Sequence, residues 1–179
     1  MGRNAAGFTL IELLMTLAVF AVVMTLGLPA FADTLQRTRV STASHSLSST
    51  LASARSTAVM RREPVSVCPM TAQHRCRMDG VWEDGWMVFR DSRRTGQPAS
   101  ESDILRVVDA LDEGLILRAT SGRHRARFQP DGRSTGSTLT LSLCSANDHR
   151  LLGRVILNNW GRARTERKPA RTAICSNIR

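Results

Sequence analysis

The chain has 179 residues, with 25 basic and 15 acidic side chains for a net charge of +10, and a hydrophobic content of 42%. That length excludes anything beyond one ordinary domain with an appendage, and because much of the apolar content is gathered at the N-terminus the remainder is fairly polar. The charge is uneven: residues 121–179 hold 12 basic residues against 3 acidic ones and so carry +9 of the +10. Only Lys168 among the basic residues is a lysine, a bias that a GC-rich genome produces as readily as a demand for guanidinium chemistry.

The first element is the apolar run from Phe8 to Leu28, which contains one charge, Glu12. As a helix it would reach about 31 Å, the thickness of a bilayer's hydrocarbon core. A secretory signal would have a shorter apolar core and a small-x-small cleavage site after it, and here only Ala30 and Ala32 mimic such a site. A carboxylate in mid-membrane costs roughly 2.5–3.5 kcal/mol, so it usually has a partner or a task. Were the chain cut between Gly7 and Phe8, the new α-ammonium would lie one helical turn before Glu12, and the positive end of the helix dipole would favour the acid further. In a helical assembly Glu12 could take up the ammonium of a neighbouring subunit instead.

The stretch "GFTLIELL", Gly7 to Leu14, resembles the class III signal of type IV pilins and type II secretion pseudopilins. That resemblance implies cleavage by a prepilin peptidase after Gly7, methylation of Phe8 as the new terminus, and a role for Glu12 in assembly with other major and minor pilins. Pro29 falls where such proteins commonly carry a helix-kinking proline, and proline does remove one helical hydrogen bond.

Beyond Pro29, Val40, Ala43, Leu47, Leu51, Ala54 and Ala58 recur at spacings of three and four, a single apolar stripe that stops before Pro64. The spine is therefore expected to be one long helix, facing lipid first and a domain second. Its many serines and threonines weaken intrinsic helicity, so packing must supply much of the stability. His45 beside the stripe reads as an ordinary side chain.

From Pro64 the period changes to that of strands. "PVSVCP", "WMVF", "ILRVV", "LILRA", "RARF", "TLTLSLC" and "GRVILNN" are short β-like runs, divided by the turn signals "DSRRTGQP", "DEG", "PDGRSTG", "SANDH" and "NNWG". Leu139, Leu141 and Leu143 give the cleanest alternation of an apolar and a hydroxylated face. The expected fold class is α+β, an antiparallel sheet domain packed on the helix. The divisions are 1–7 as leader, 8–28 as transmembrane and assembly helix, 29–62 as the soluble half of the spine, and 63–179 as the β-rich domain. Trp82 and Trp86, four residues apart, read as core rather than as a ligand cage.

The four cysteines form no C-x-x-C, and His45, His74, His124 and His149 are scattered, so no metal site or cofactor is expected. A domain that follows an anchor with a basic leader lies on the oxidising side of the membrane, which makes disulfides the better reading. Three connectivities are possible, and the favoured one joins Cys68 to Cys76 and Cys144 to Cys175. No phosphate-binding loop, G-x-S-x-G or H-E-x-x-H occurs, and no base is placed for a serine nucleophile, so an enzyme is not expected.

Within the pilin class, "CPMTAQHRCRMDGVWEDGWMVFRD", "DILRV", "FQPDGRSTG", "LSLC" and "NNWGRAR" resemble the FimT/GspH group of minor pilins. The resemblance implies a type IV pilin-like fold with a single pass through the bacterial inner membrane, a periplasmic head, and later assembly into an extracellular pilus. The basic segment "WGRARTERKPAR" holds Arg162, Arg164, Arg167, Lys168 and Arg171 against Glu166. If Gly161 closes a tight turn, Arg162 and Arg164 share one face of the next strand, and two guanidinium forks on one face suit phosphate oxygens. Arg154 is a further candidate, while Arg123, Arg125 and Arg127 could extend the field in an unknown direction. In FimT-like minor pilins a C-terminal G-R-x-R stretch is associated with DNA capture for natural transformation, and Gly161 to Arg164 matches it. The implied partner is double-stranded DNA, read without sequence preference. The competing expectation is a GspH-like secretion pseudopilin, or a pilus-priming subunit, that acts through protein contacts alone.

Overall fold

A computed structural model describes residues 9–167 and Cys175. Its secondary structure is one α-helix, α1 (Leu10–Arg61), followed by strands β1 (Val65–Pro69), β2 (Trp86–Arg90), β3 (Ile104–Val108), β4 (Leu115–Ala119), β5 (Ala126–Phe128), β6 (Leu139–Ser145), β7 (Leu151–Leu157) and β8 (Ala163–Arg167), with a 3-10 turn at Glu101–Asp103. The chain divides into two compact units between Thr38 and Arg39.

The first unit is helical. Its apolar side chains from Leu10 to Leu28 that can be described are exposed, and the helix contains an 18-residue window with a mean hydropathy of 2.3, enough in length and composition to cross a membrane. Thr16, Thr25 and Thr34 donate their hydroxyls to carbonyls three or four residues back, at 2.8–2.9 Å. Hydroxyls satisfied within the helix are compatible with an apolar surrounding. The helical assignment runs without a break through Pro29.

The second unit carries the core. Ala43, Leu47, Leu51, Ala54 and Ala58 are buried and join one hydrophobic cluster with Val65, Trp82, Trp86, Leu117, Phe128, Leu141, Val155 and Leu157. Each large side chain taken fully from water contributes about 1.5–3 kcal/mol, and the alanines let the sheets approach the helix. Trp86 keeps its polar handle satisfied by donating Nε1–H to Thr50 Oγ1 at 3.4 Å. The helix ends where Arg62 takes a φ of 54° before Pro64, since proline cannot continue it and restricts the residue before it.

The strands form two antiparallel four-stranded sheets, in the orders β3-β2-β1-β5 and β4-β6-β7-β8. In the second sheet Leu139, Leu141, Leu143, Val155 and Leu157 are buried, while Thr140, Ser142, Arg154 and Ile156 alternate onto the opposite face. Strand β7 starts at Leu151, two residues before the expected Gly153: burial alternates strictly from Leu151 to Leu157, but Leu152 on the outer face and Gly153 on the buried face invert the apolar pattern that marks a strand, and the register shifts opposite Leu143/Cys144. Disulfides join Cys68 to Cys76 and Cys144 to Cys175. The second carries Cys175 beside β7, where its N–H donates to the His149 carbonyl at 3.0 Å.

Candidate nucleic-acid interface

Two turns of the same design meet at one end of the sheets. In Gln129–Arg133 the Gly132 N–H donates to the Gln129 carbonyl at 2.8 Å and the Gln129 N–H to the Arg133 carbonyl at 2.8 Å. In Asn158–Arg162 the matching bonds are Gly161 to Asn158 at 2.9 Å and Asn158 to Arg162 at 3.2 Å. Both glycines are left-handed, with φ of 78° and 73°, the conformation that a four-residue turn of this kind demands and that glycine adopts without strain. An arginine follows each glycine. The two turns are joined by a bond from the Ser134 N–H to the Asn159 carbonyl at 2.9 Å. From α1, Arg55 donates Nε–H to the Gly132 carbonyl at 3.0 Å. Arg133 spans the gap, its guanidinium carbon 4.7 Å from the centre of the Trp160 ring, a distance at which the cation is drawn to the ring face.

The second turn feeds β8 into the sheet edge. Register places Arg164 opposite Ile156 and Glu166 opposite Arg154, so these four share the outer face, and Arg162, two residues before Arg164, has the same parity. Arg164 is 70% exposed and pairs with Glu166 at 3.1 Å. Such an open pair is worth little, so the guanidinium remains free to exchange partners. The Arg154 and Arg162 guanidinium groups have no ion pair or side-chain hydrogen bond to another described residue. Further across the same face, Arg118, Arg154, Thr120, Thr140 and Ser142 line an open depression of about 450 Å³, with Cys175 at its border. Arg118 is already paired with Glu83. The result is a cationic face that also carries the Thr140 and Ser142 hydroxyls, chemistry that suits phosphate oxygens.

Not every arginine in the basic region joins this face. Arg127 lies in the other sheet and turns inward, reaching the fully buried Asp91 carboxylate at 2.8 Å, which also accepts from Ser66 Oγ at 2.8 Å and from the Gly96 N–H at 3.0 Å. Arg123 donates to the Gly136 carbonyl at 2.9 Å, and Arg125 packs over Gly96. These three therefore serve the loops of the domain and do not extend the outer face. Of the other sequence candidates, Arg167 occupies the last position of β8, opposite Gly153, while Lys168 and Arg171 lie outside the described residues. Sequence reasoning passed over Arg55, Arg133 and Trp160: the shared glycine-arginine pair at the end of each turn signals the turns that hold Arg133 and Trp160, whereas nothing local in α1 signals Arg55.

At the N-terminus, Gly7 and Phe8 also lie outside the described residues. Glu12 is in the first turn of α1, its N–H donating to Thr9 Oγ1 at 3.3 Å. It borders an open apolar groove of about 400 Å³ formed by Met15, Thr16, Val19, Phe20 and Val23.

Charge in the rest of the head is arranged locally. Arg77 bridges Asp79 at 2.6 Å and also pairs with Asp84. Burial pushes the Asp79 carboxyl up, but the Arg77 guanidinium and the Val81 N–H outweigh it and hold the group below its ordinary value. Asp148 is likewise held down by the Ser145 hydroxyl and the Arg150 N–H.

Two family profiles match the chain: one described as Type II transport protein GspH over residues 43–161, and one described as a prokaryotic N-terminal methylation motif over residues 2–28. The crystal structure of the type IV minor pilin FimU of Pseudomonas aeruginosa is similar with a TM-score of 0.56 at 20% identity, covering 75% of this chain and 91% of that one. The minor pseudopilin EpsH of the Vibrio cholerae Type 2 Secretion System is similar with a TM-score of 0.50 at 16% identity, covering 71% of this chain and 95% of that one. Comparison with curated proteins gives no match. These likenesses agree on the long helix followed by an antiparallel β domain. With its profile match spanning more than half of the sequence, the chain belongs to the GspH family, described as Type II transport protein GspH.

Proposed function

We propose that this protein is a type IV minor pilin whose head binds duplex DNA through the outer face of β7 and β8, in support of DNA uptake. The observation that carries the reading is the pair Arg162 and Arg164, delivered with one parity by the Gly161 turn beside Arg154. Arg167, Lys168 and Arg171 continue the cationic run in sequence. Guanidinium groups aimed at phosphates give affinity without base reading, so binding is independent of sequence and falls steeply with salt.

The same proposal assigns residues 1–7 to a leader cut after Gly7 by a prepilin peptidase, Phe8 to the methylated terminus, and Glu12 to the assembly contact with a neighbouring pilin. Residues 8–28 then hold the chain in the inner membrane, residues 29–62 continue the spine, and residues 63–179 form the head on the periplasmic side before export into the filament. The methylation-motif match over residues 2–28 supports this division.

A second reading, a secretion pseudopilin acting through protein contacts, is favoured by the type II transport description of the matching family and by the likeness to EpsH. The deciding experiment is a titration of the full chain, in neutral-detergent micelles, with duplex DNA across a range of salt. The parent should bind, and Arg162→Ala with Arg164→Ala should lose most of the affinity while keeping the fold, with a salt slope lower by about 0.9 for each phosphate contact removed. A double variant that binds as tightly as the parent at matched salt overturns the site. A parent that binds no DNA favours the pseudopilin reading.

A further inference from the structure

The three tryptophans divide sharply: Trp82 and Trp86 are fully buried, whereas Trp160 is 61% exposed at the tip of the β7–β8 turn. Its backbone is fixed from both sides. Arg162 donates its N–H to Asn158 Oδ1 at 3.0 Å, Ser134 donates to the Asn159 carbonyl at 2.9 Å, and the next residue, Gly161, is pressed against the Gly132 carbonyl. Arg133 backs the ring at 4.7 Å. A large aromatic surface is thus held in water on a rigid turn, with little ordering left to lose when something binds.

We propose that Trp160 is a stacking platform for an unpaired nucleobase, so that the face takes single-stranded or frayed DNA more tightly than blunt duplex. The inference rests on the DNA-binding reading above and adds a ligand preference to it. Every base has a π face, but in an intact duplex the neighbours cover it, so an indole outside the helix can use it only where pairing is lost. Arg162 and Arg164, directly after the ring in sequence, are placed to hold the backbone phosphates that accompany such a base. A protein partner for the same ring is the outcome that the test separates from this one.

Because the other two tryptophans are buried, quenching of indole emission by DNA reports on Trp160. The full chain in neutral-detergent micelles is titrated at matched salt with oligothymidylate and with a blunt duplex of equal length. The single strand should quench the parent and bind it more tightly than the duplex does. Trp160→Ala and Trp160→Leu should weaken single-strand binding by about fivefold to a hundredfold and leave duplex binding within about twofold. Trp160→Phe should keep most of the single-strand affinity while abolishing the quenching, and circular dichroism checks that each variant is folded. Binding without quenching, or an alanine variant with parental single-strand affinity, overturns the stacking platform while leaving the DNA reading intact. A parent that binds neither DNA overturns both and leaves Trp160 to a protein partner.

Discussion

Gly161 lies against Gly132: a β-carbon built on Gly161 would overlap the Gly132 carbonyl oxygen, and its own φ of 73° is one that side chains rarely adopt. The two turns therefore interlock through backbone, and backbone cannot swing aside. Gly161→Ala should destabilise the head by roughly 2–4 kcal/mol, from left-handed strain and overpacking together. Gly136→Ala makes the control, since Gly136 has a φ of 73° but no neighbour within 4 Å, and should cost only about 1 kcal/mol. Denaturant melts of both variants measure the difference, and equal losses would show that the turns are not locked together.

Glu166 is the only acidic residue in the four strands of the second sheet, and it faces both Arg154 and Arg164. Glu166→Gln should tighten DNA binding by about two- to fivefold at low salt, the scale of one exposed charge interaction. The gain should vanish at high salt. Affinity measured at two ionic strengths checks this, and a salt-independent gain would point to a change of shape instead of charge.

Asp91 is the buried centre of a network that includes Ser66, Gly96 and Arg127. Asp91→Ala leaves the Arg127 guanidinium and two further donors without their acceptor, which should cost roughly 3–5 kcal/mol. Arg154→Ala, on the open face, should change stability by less than about 0.5 kcal/mol. Thermal unfolding of the two variants tests the distinction between arginines that build the head and those that face outward.

Asp79 gives a pH prediction. A carboxylate held lower in the folded than in the unfolded chain contributes stability above its unfolded value, and loses that contribution as pH falls through the folded one. With the Asp79 carboxyl held below its ordinary value, the Arg77 bridge should remain intact at neutral pH and fail only in acidic solution below the usual carboxylate range. The melting temperature of Asp79→Asn should therefore fall less steeply than that of the parent in that acid range. Parallel acid limbs would remove Asp79 from the account.

Local periodicity carried most of the fold. The stripe from Ala43 to Ala58 and the alternation of Leu139, Leu141 and Leu143 each arise from neighbours along one element, so a linear reading finds them. The start of β7 was hidden because Leu152 faces outward and Gly153 inward, so the apolar residues there do not follow the buried positions. Arg127 was harder still: whether an arginine points to solvent or to Asp91 depends on a carboxylate 36 residues away. The meeting of Gly132 with Gly161 is likewise a contact between loops, and loops carry no period that announces which other loop they will touch. Arg162 and Arg164 could be placed together in advance only because both follow one turn into one strand.

Strand β8 ends its sheet, with β7 on one side and no described strand on the other. An open border of this kind offers unpaired amides and carbonyls as a template on which a stray chain could polymerise, and charged side chains are a common safeguard. In the sequence Ala-Arg-Thr-Glu-Arg three of the five residues are charged and none is large and apolar, which makes the border a poor template for an uncontrolled amyloid-like zipper. The charged side chains of this border thereby also help to keep the domain from self-association.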